Sequence, residues 1–252
     1  MKVKSAFDAI PQAYDRYRPR YCPELFAQLE KTAQLGPDKS ILEIGPGTGQ
    51  ATGPLLATGC RYLAIELGEH LAGYLQQTYG SRPNFQLVSG DFATYPLAER
   101  QFDLICAANS LQWLPLQAAF GKTFSLLKPG GLLAVLTVKS DYRTPDPALY
   151  RRIQQVYDAH FYPAAPYQGR GFPYQAAADY GYNSPRQWVF HGRRVLTAQG
   201  YAGLCQTYSD HRSVPEPHRQ ALFDGLYQAV KEAGDRIVFL DRFTLLLFQK
   251  PQ

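Results

Sequence analysis

Three glycines at alternate positions follow an apolar run that carries one acid. The stretch reads Ile-Leu-Glu-Ile-Gly-Pro-Gly-Thr-Gly-Gln over residues 41–50. Because glycine has no Cβ atom, the backbone here can approach a ligand closely and adopt positive φ angles. A dinucleotide-binding turn requires its third glycine where this chain has Gln50, and a phosphate-binding P-loop requires a terminal Gly-Lys-Ser/Thr, which is absent. The turn is therefore typical of a nucleoside site without a pyrophosphate.

Acidic residues stand at or just after the ends of two further apolar segments. Glu66 closes the segment 61–66, and Asp91 ends the segment 85–91. A carboxylate can accept two hydrogen bonds at once, which suits the paired hydroxyls of a ribose. Glu43 lies inside the first apolar segment, where an unpaired charge would be costly. These acids are candidates for ligand contact.

The elements that must position these residues alternate between strand and helix patterns. The predicted strands are 40–44, 61–66, 85–91, 102–108, 132–138, 188–196 and a segment within 236–249, and the predicted helices are 23–35, 50–57, 69–79, 115–127, 146–160, 198–208 and 217–233. Residues 128–131 are predicted to form a tight turn. This order predicts an α/β protein with a Rossmann-like, doubly wound, seven-stranded sheet that is mostly parallel with an antiparallel last strand. In such sheets the ligand lies at the carboxyl ends of the strands, near the topological switch point.

Five stretches of the chain, in order, resemble the class I S-adenosylmethionine-dependent methyltransferases. Residues 42–49 are similar to that family's motif I (E/D-x-G-x-G-x-G), Glu66 stands at its second-strand acid, and 90–92 match its adenine-binding position. Residues 102–114 resemble the fourth-strand motif that often reads S/A-x-L-H-W, and 126–131 match the L-K-P-G-G turn. The resemblance covers roughly residues 5–140.

The resemblance implies S-adenosyl-L-methionine as cofactor and S-adenosyl-L-homocysteine as product. It implies that Glu66 binds both ribose hydroxyls, that Asp91 takes the adenine amino group and that Phe92 packs near the adenine ring. The cofactor-binding residues that it implies are Tyr14, Tyr17, Arg18, Glu43, Gly45, Gly47, Gly49, Glu66, Leu67, Asp91, Phe92, Asn109 and Ser110. Glu43 would organise the turn or approach the methionyl amine.

The N-terminal segment Tyr-Asp-Arg-Tyr-Arg-Pro at 14–19 resembles the entry of a methyltransferase subgroup that includes the trans-aconitate and quinone-biosynthesis enzymes. In that subgroup the segment folds over the cofactor, with aromatic rings near the methyl group and an arginine near the carboxylate. The resemblance therefore implies such roles for Tyr14, Tyr17 and Arg18. Aromatic faces beside a sulfonium also suit the charge of the cofactor.

Methyl transfer from a sulfonium mainly needs positioning, so no universal catalytic residue is expected. The subgroup often has a histidine in the fourth-strand motif, where this chain has Gln112, and an amide cannot remove a proton. A base is then either not needed there or supplied from elsewhere. Tyr14, Gln112 and His191 are the candidates for a catalytic role, and His211 is a further histidine in the second half of the chain.

Four other functions are weighed against small-molecule methylation by O-, N- or C-transfer. Nucleic-acid methylation is disfavoured because Asn109 is not followed by Pro-Pro-Tyr/Phe and no Pro-Cys nucleophile occurs. A protein acceptor stays open. A dehydrogenase is disfavoured by Gln50, and a non-catalytic S-adenosylmethionine binder also stays open.

Overall composition indicates which metal sites, cellular locations and membrane contacts to expect. The 252 residues have a formal net charge of +5, with basic residues spread along the chain, and the four cysteines stand singly without a CxxC pair. No zinc site or other metal site is indicated, and a reducing cytosol is favoured. The first eight residues lack the apolar core of a signal peptide and no apolar run reaches membrane-spanning length, so a cytoplasmic location without membrane contact is expected. A monomer and a dimer are equally open.

A single domain over residues 1–252 is expected from this length. Residues 5–140 would form the cofactor-binding core, about 140–235 a helical and aromatic cap with the acceptor region, and 236–252 the closing strand. The segment 161–186 is rich in Tyr, Pro and Gly, which is typical of a lid or binding loop.

Overall fold

A computed structural model describes residues 8–97, 101–166 and 171–252. Its strands are β1 (Ser40–Ile44), β2 (Arg61–Glu66), β3 (Phe85–Ser89), β4 (Phe102–Ala108), β5 (Leu127–Asp141), β6 (Arg186–Leu196) and β7 (Ile237–Gln249). They form a seven-stranded sheet in the order β3-β2-β1-β4-β5-β7-β6. The sheet is mostly parallel with one antiparallel strand, so the predicted fold class is confirmed. Residues 1–7, which carry the expectation about a signal peptide, lie outside the described ranges.

The strand β1 lies at the point where the chain order of the sheet reverses. It pairs in parallel with β2 on one side and with β4 on the other. All five of its residues are buried. Ile44 is paired with Ile65, so the glycine turn that follows β1 lies beside Glu66 at the end of β2. The glycines thus occupy the switch point, where ligands bind in sheets of this kind.

Two apolar clusters cover the two faces of the central strands. On β1, Leu42 and Ile44 belong to one cluster and Ile41 to the other, and β4 alternates in the same way at Leu104 and Ile105. This alternation follows from the period of two along a strand. It places Glu43 on the same face as Ile41, within a fully buried layer.

The helices cover most of the predicted segments. They are α1 (Pro11–Tyr17), α2 (Pro23–Ala33), α3 (Thr52–Leu56), α4 (Glu69–Tyr79), α5 (Thr123–Leu126), α6 (Pro147–His160), α7 (Ala198–Cys205), α8 (Ser209–Arg212) and α9 (His218–Glu232). The helix predicted over 115–127 is instead a π-helix at Gln117–Lys122 followed by α5. In the ranges described, no helix combines the length and the apolar character needed to cross a membrane.

The turn predicted at 128–131 is incorporated into β5, which corrects the prediction. Gly130 has a φ of 75° and its N–H donates to the carbonyl of Lys250 at 3.1 Å, while the Lys250 N–H donates to Gly131 at 2.9 Å. The pairing with the C-terminal residues satisfies backbone groups that a free turn would leave to solvent. The register of β5 against β4 shifts between Phe102 and Leu104 at this irregularity.

The chain forms two compact units. The core unit comprises residues 20–138, 171–190 and 243–252, and the second unit comprises 1–19, 139–170 and 191–242. In the second unit α9 packs on α6 and α7, and α1 packs on α7. Its apolar cluster includes Ile153, Leu204 and Leu226.

Part of the aromatic segment 161–186 belongs to the core unit. Phe172 and Tyr180 contact the buried Phe120 at centroid distances of 5.7 and 5.9 Å, and Tyr182 contacts Phe124 at 5.1 Å. A 3₁₀ helix at Tyr174–Tyr180 carries Tyr180 and also Tyr174, whose ring centre lies 5.1 Å from that of Phe172. The aromatic richness of residues 171–182 is thus used in core packing, and residues 167–170 of the predicted loop lie outside the described ranges.

Candidate cofactor site

The glycine turn has the backbone geometry that its spacing predicts. Gly45, Gly47 and Gly49 have φ angles of 60°, 64° and 91°. The Gly45 N–H donates to the Ile65 carbonyl at 2.9 Å, which ties the turn to β2. A Cβ atom on Gly45 would lie 3.0 Å from the Cβ of Ser110. Glycine is therefore required both by the φ angles and by a close neighbour.

Gly49 is required by a tyrosine of α4. A Cβ atom at Gly49 would lie 2.6 Å from Cε2 of Tyr79, and one at Gly53 would lie 3.0 Å from the Tyr79 hydroxyl. The last glycine of the motif thus makes room for the packing of Tyr79. This contact links the turn to the helix that follows β2.

Gly49→Ala should lower the free energy of unfolding by about 2 kcal/mol, because the φ of 91° is unfavourable for alanine and the Tyr79 ring must shift. Gly73→Ala is the matched control, since its Cβ would meet nothing within 4 Å in the middle of α4. That change should stabilise by about 0.5–1 kcal/mol. Urea unfolding of both variants checks the pair. Equal effects of the two substitutions would contradict the role given to Tyr79.

Glu66 connects the two loops that leave β1 and β2. Its Oε2 accepts the Gly47 N–H at 2.9 Å and its Oε1 accepts the Gly68 N–H at 2.9 Å. Glu66 is buried, with only 6% of its surface exposed. A carboxylate has about four acceptor positions, so this geometry is compatible with ribose hydroxyls in addition to the two amides. The acid also sets the position of the glycine turn.

Leu67, directly after Glu66, is 43% exposed. A large apolar side chain exposed at the carboxyl end of a central strand is suited to cover a flat base. Gly90 donates its N–H to the Glu66 carbonyl at 2.8 Å and so brings the end of β3 beside that of β2. Leu67 and the loop with Asp91 are thus neighbours along one edge of the sheet.

Asp91 begins a tight loop. Its Oδ1 accepts the Ala93 N–H at 2.9 Å, and its carbonyl accepts the Tyr95 N–H at 2.8 Å. Phe92 is 3% exposed and belongs to the apolar cluster that includes Leu42. The structure therefore places the Phe92 side chain in the core, and the Asp91 carboxylate is the acidic group at the start of this loop.

Lys122 contacts the loop that begins at Asp91, and the sequence did not predict this contact. Its ammonium donates to the carbonyls of Phe92 and Tyr95, the latter at 2.6 Å, and lies 4.8 Å from the centre of the Phe92 ring. Burial lowers the pKa of Lys122, whereas the charge of Asp91 acts to raise it. Lys122 ends the π-helix, an irregular element that often occurs at functional sites. Its position in sequence, inside a predicted regular helix, gave no signal of this contact.

The residues after β4 brace the end of β1. Asn109 has a positive φ of 52°, and its carbonyl accepts the Gln112 side-chain amide at 2.9 Å. The Ser110 hydroxyl donates to the Ile44 carbonyl. Gln112 therefore has a local structural partner where the related motif often has histidine.

Glu43 lies buried beneath the glycine turn. Its Oε2 accepts hydrogen bonds from the hydroxyls of Thr52 and Tyr62, the latter at 2.7 Å, while its Oε1 has no partner among the described residues. Burial raises the pKa of Glu43 to about 7, although both hydrogen bonds act to lower it. The structure places Glu43 against α3 and β2, which agrees with a role in organising the turn.

The N-terminal candidates belong to the second unit. Arg18 donates to the Thr207 carbonyl at 2.8 Å, and its guanidinium lies 5.0 Å from the Tyr14 ring centre and 4.5 Å from that of Tyr208. A Cβ on Gly203 would lie 2.4 Å from Cζ of Tyr17, so this ring packs closely on α7.

The two histidine candidates differ in their surroundings. His191, on β6, is exposed, whereas His211 is buried in the second unit. Of these two, His211 is the one whose ring is fixed by side chains among the residues that the structure describes.

Comparison with known proteins places the glycine turn in a recognised domain. Residues 42–135 match the family model described as a methyltransferase domain. A ribosomal RNA small subunit methyltransferase A from Synechococcus sp. (strain JA-3-3Ab) is 42% identical over 79 residues, which cover 30% of this chain and 28% of that protein. An uncharacterized methyltransferase of Schizosaccharomyces pombe is 21% identical over 226 residues, covering 86% of this chain and 84% of that one.

A solved structure shares the fold over the whole chain. The phosphoethanolamine N-methyltransferase 2 of Haemonchus contortus, in complex with phosphomonomethylethanolamine and S-adenosylhomocysteine, has a TM-score of 0.55 at 14% identity. The alignment covers 100% of this chain and 61% of that one. The chain spans 28–29% of the length of the first curated relatives that it matches. Residues 42–135 therefore match a methyltransferase domain, and the seven-stranded fold that carries them is shared with the solved methyltransferase structure.

Proposed function

We propose that this protein is an enzyme that transfers a methyl group from S-adenosylmethionine to a small-molecule acceptor. The observation that carries the proposal is the Glu66 carboxylate, which holds the glycine turn at Gly47 and the next loop at Gly68 within a matched methyltransferase domain. The cofactor, when bound, supplies an electrophilic methyl group. The chain's task is then to bind and orient both reactants.

The residues at the ends of the central strands fit the nucleoside part of the cofactor. The positive-φ glycines leave backbone accessible at Gly47, Glu66 offers a buried carboxylate, and Leu67 offers an exposed apolar face. We assign the ribose to Glu66, the adenine to Leu67 and the Asp91 loop, and the remaining cofactor-binding roles to the glycines, Asn109 and Ser110. Tyr14, Tyr17 and Arg18 keep their proposed roles toward the methionyl part.

A cavity in the second unit supports the proposal of a small-molecule acceptor. We propose that the chain works as one methyltransferase domain, with acceptor recognition in residues of about 140–235. Residues in this range line an open cavity of about 520 Å³, and several of the lining side chains are aromatic. This volume is typical of sites for small organic ligands.

The ribosomal RNA methyltransferases among the relatives favour a nucleic-acid acceptor as the second candidate function. Their similarity covers 30% of this chain or less, and the acceptor is recognised by other parts of a methyltransferase. In this chain Asn109 precedes Ser-Leu-Gln, which cannot form the aromatic clamp for an exocyclic amine. Methylation assays with the RNA of the small ribosomal subunit distinguish this candidate from the proposal.

Replacing Asp91 with Ala should reduce affinity for S-adenosylhomocysteine about tenfold and should abolish the preference over S-inosylhomocysteine, which lacks the adenine amino group. Calorimetry with both ligands measures the two effects separately. Asp38→Asn, at an exposed acid, is the control and should change neither. Loss of the hydrogen bond from the Ala93 N–H could weaken the binding of both ligands equally. The preference for S-adenosylhomocysteine over S-inosylhomocysteine therefore decides whether Asp91 contacts the adenine amino group. A variant that still prefers the adenine ligand as strongly as the native protein would overturn it.

A further inference from the structure

The cavity in the second unit is built from two neighbouring parts of the chain. Its lining comprises Ser140, Asp141, Tyr142, Arg143, Tyr150, Gln154, Tyr157 and Phe161. The first four stand at and just after the end of β5, and the others lie along one face of α6 at helical spacing or directly after it. Half of the lining residues are aromatic. The cavity is therefore suited to a flat ring with a few polar groups.

The rim of the cavity carries one cation in contact with an aromatic ring. The guanidinium of Arg143 lies 5.5 Å from the centre of the Tyr150 ring, and Tyr142 lies 5.5 Å from Tyr150. Asp141 at the same rim accepts the backbone N–H groups of Arg143 and Thr144, at 2.8 and 3.3 Å. The Asp141 carboxylate is thus engaged by its own turn, and Arg143 presents positive charge to an acidic substituent of a ligand.

Tyr157 connects the cavity wall to the buried His211 and its partly exposed neighbour Asp210. Its hydroxyl lies 2.9 Å from Nε2 of His211, and Nδ1 of His211 lies 2.7 Å from Oδ1 of Asp210. Burial acts to raise the pKa of Asp210, but its hydrogen bonds with His211 outweigh this effect and lower that pKa. An ionised Asp210 accepts the Nδ1 proton, which leaves Nε2 of the neutral ring to accept the Tyr157 hydroxyl proton.

Three aromatic rings pack against the His211 ring. Phe161 and Tyr208 pack against it at centroid distances of 4.9 and 5.1 Å, and the Tyr157 ring meets it edge-on at 5.5 Å. The guanidinium of Arg18 lies 4.5 Å from the centre of the Tyr208 ring. Burial, followed by the neighbouring Cys205 and Tyr142, raises the pKa of Tyr157, so this tyrosine keeps its proton. A fixed ring and a protonated tyrosine form a pathway for a proton.

We infer that this cavity binds a small aromatic hydroxy compound and accepts its hydroxyl proton through Tyr157. The ligand O–H bond breaks as its proton passes to the Tyr157 oxygen, and the Tyr157 proton passes at the same time to Nε2 of His211. The products are a ligand oxyanion hydrogen-bonded to a neutral tyrosine and an imidazolium beside ionised Asp210. Binding of this ligand in the cavity does not depend on the proposed function. The identification of the ligand as the methyl acceptor rests on the proposed function.

The test uses the full chain with 4-nitrophenol, and with 4-nitroanisole as the analogue that has no hydroxyl proton. In the absence of cofactor, calorimetry should show at least tenfold tighter binding of 4-nitrophenol to the native protein. At a pH where free 4-nitrophenol is mostly neutral, binding should increase the absorbance of its ionised, yellow form. Tyr157→Phe should bind both probes equally and should show no increase in the ionised form.

Matched variants separate this proton path from a general effect on folding. Tyr162→Phe removes a hydroxyl that donates to the Asp158 carbonyl outside the cavity, and it should behave as the native protein does. His211→Gln should keep binding of 4-nitrophenol within threefold and lose the ionised signal, with His218→Gln as its control. Absence of binding to the native protein, or a preference retained in Tyr157→Phe, would overturn the inference. Because S-adenosylhomocysteine binding is titrated separately, either result leaves the proposed function to be judged by its own experiment.

Discussion

Replacing Glu66 with Gln should weaken S-adenosylhomocysteine binding about 100-fold, which corresponds to about 2.7 kcal/mol. One carboxylate accepts the N–H groups of Gly47 and Gly68, each at 2.9 Å and each on a different oxygen. The amide of glutamine can accept only one of them, and its NH₂ group would face the other N–H. Charge-assisted hydrogen bonds to the ribose are lost as well. The glycine turn therefore loses its support together with its ligand.

Calorimetric titration of the folded variant measures this effect, and circular dichroism shows whether the sheet is retained. Glu69→Gln is the matched control, because Glu69 is exposed in the first turn of α4, three residues away. It should bind with native affinity. If Glu66→Gln keeps its affinity within threefold of the native value, Glu66 is only a backbone brace and the ribose assignment is wrong.

The sequence predicted the fold and the position of the glycine turn because both depend on local patterns. Buried strands are readable as apolar runs, and β1, β2 and β4 have the predicted bounds. The alternate glycines predicted positive φ angles, which all three adopt. Order along the chain was enough to infer the switch point, since strand order in this fold follows from alternating strands and helices.

Contacts between distant residues could not be predicted in the same way. Nothing near Gly49 in sequence indicates that the Tyr79 ring occupies the space where a Cβ atom would lie. Similarly, nothing near Lys122 predicts its hydrogen bonds to the carbonyls of Phe92 and Tyr95. The pairing of Gly130 with Lys250 joins segments 120 residues apart and converts a predicted turn into strand. These features depend on three-dimensional packing, which overrides local preference.

The histidines of the second unit also show that the sequence alone does not predict long-range contacts. His191 and His211 look alike in sequence, yet one is exposed and the other is fixed between Asp210 and Tyr157. The spacing of Tyr157 from His211 carries no recognisable motif. Roles of residues in this unit therefore follow from contacts, and the motif-based predictions are confined to the first half of the chain.

Raising the pH from 5.5 to 8 should lower the free energy of unfolding by about 2 kcal/mol through Glu43 alone. Burial raises the pKa of this carboxyl from an ordinary value of 4.5 to about 7, and the charge of Glu66 adds to the increase. The folded state therefore binds the Glu43 proton more tightly than the unfolded state does. The resulting stabilisation is complete below pH 4.5 and is lost as the pH rises to about 7, with a total of about 3 kcal/mol.

Glu43→Gln isolates this contribution from all other titrating groups. The glutamine oxygen can still accept the hydroxyls of Thr52 and Tyr62, but the side chain carries no proton that responds to pH. Urea unfolding at pH 5.5 and at pH 8 should give a difference about 2 kcal/mol smaller in the variant than in the native protein. Glu30→Gln, on the exposed side of α2, should leave the native difference unchanged. An equal pH dependence in Glu43→Gln and the native protein would mean that Glu43 is ionised in its buried site at pH 5.5, with its charge compensated by Thr52 and Tyr62.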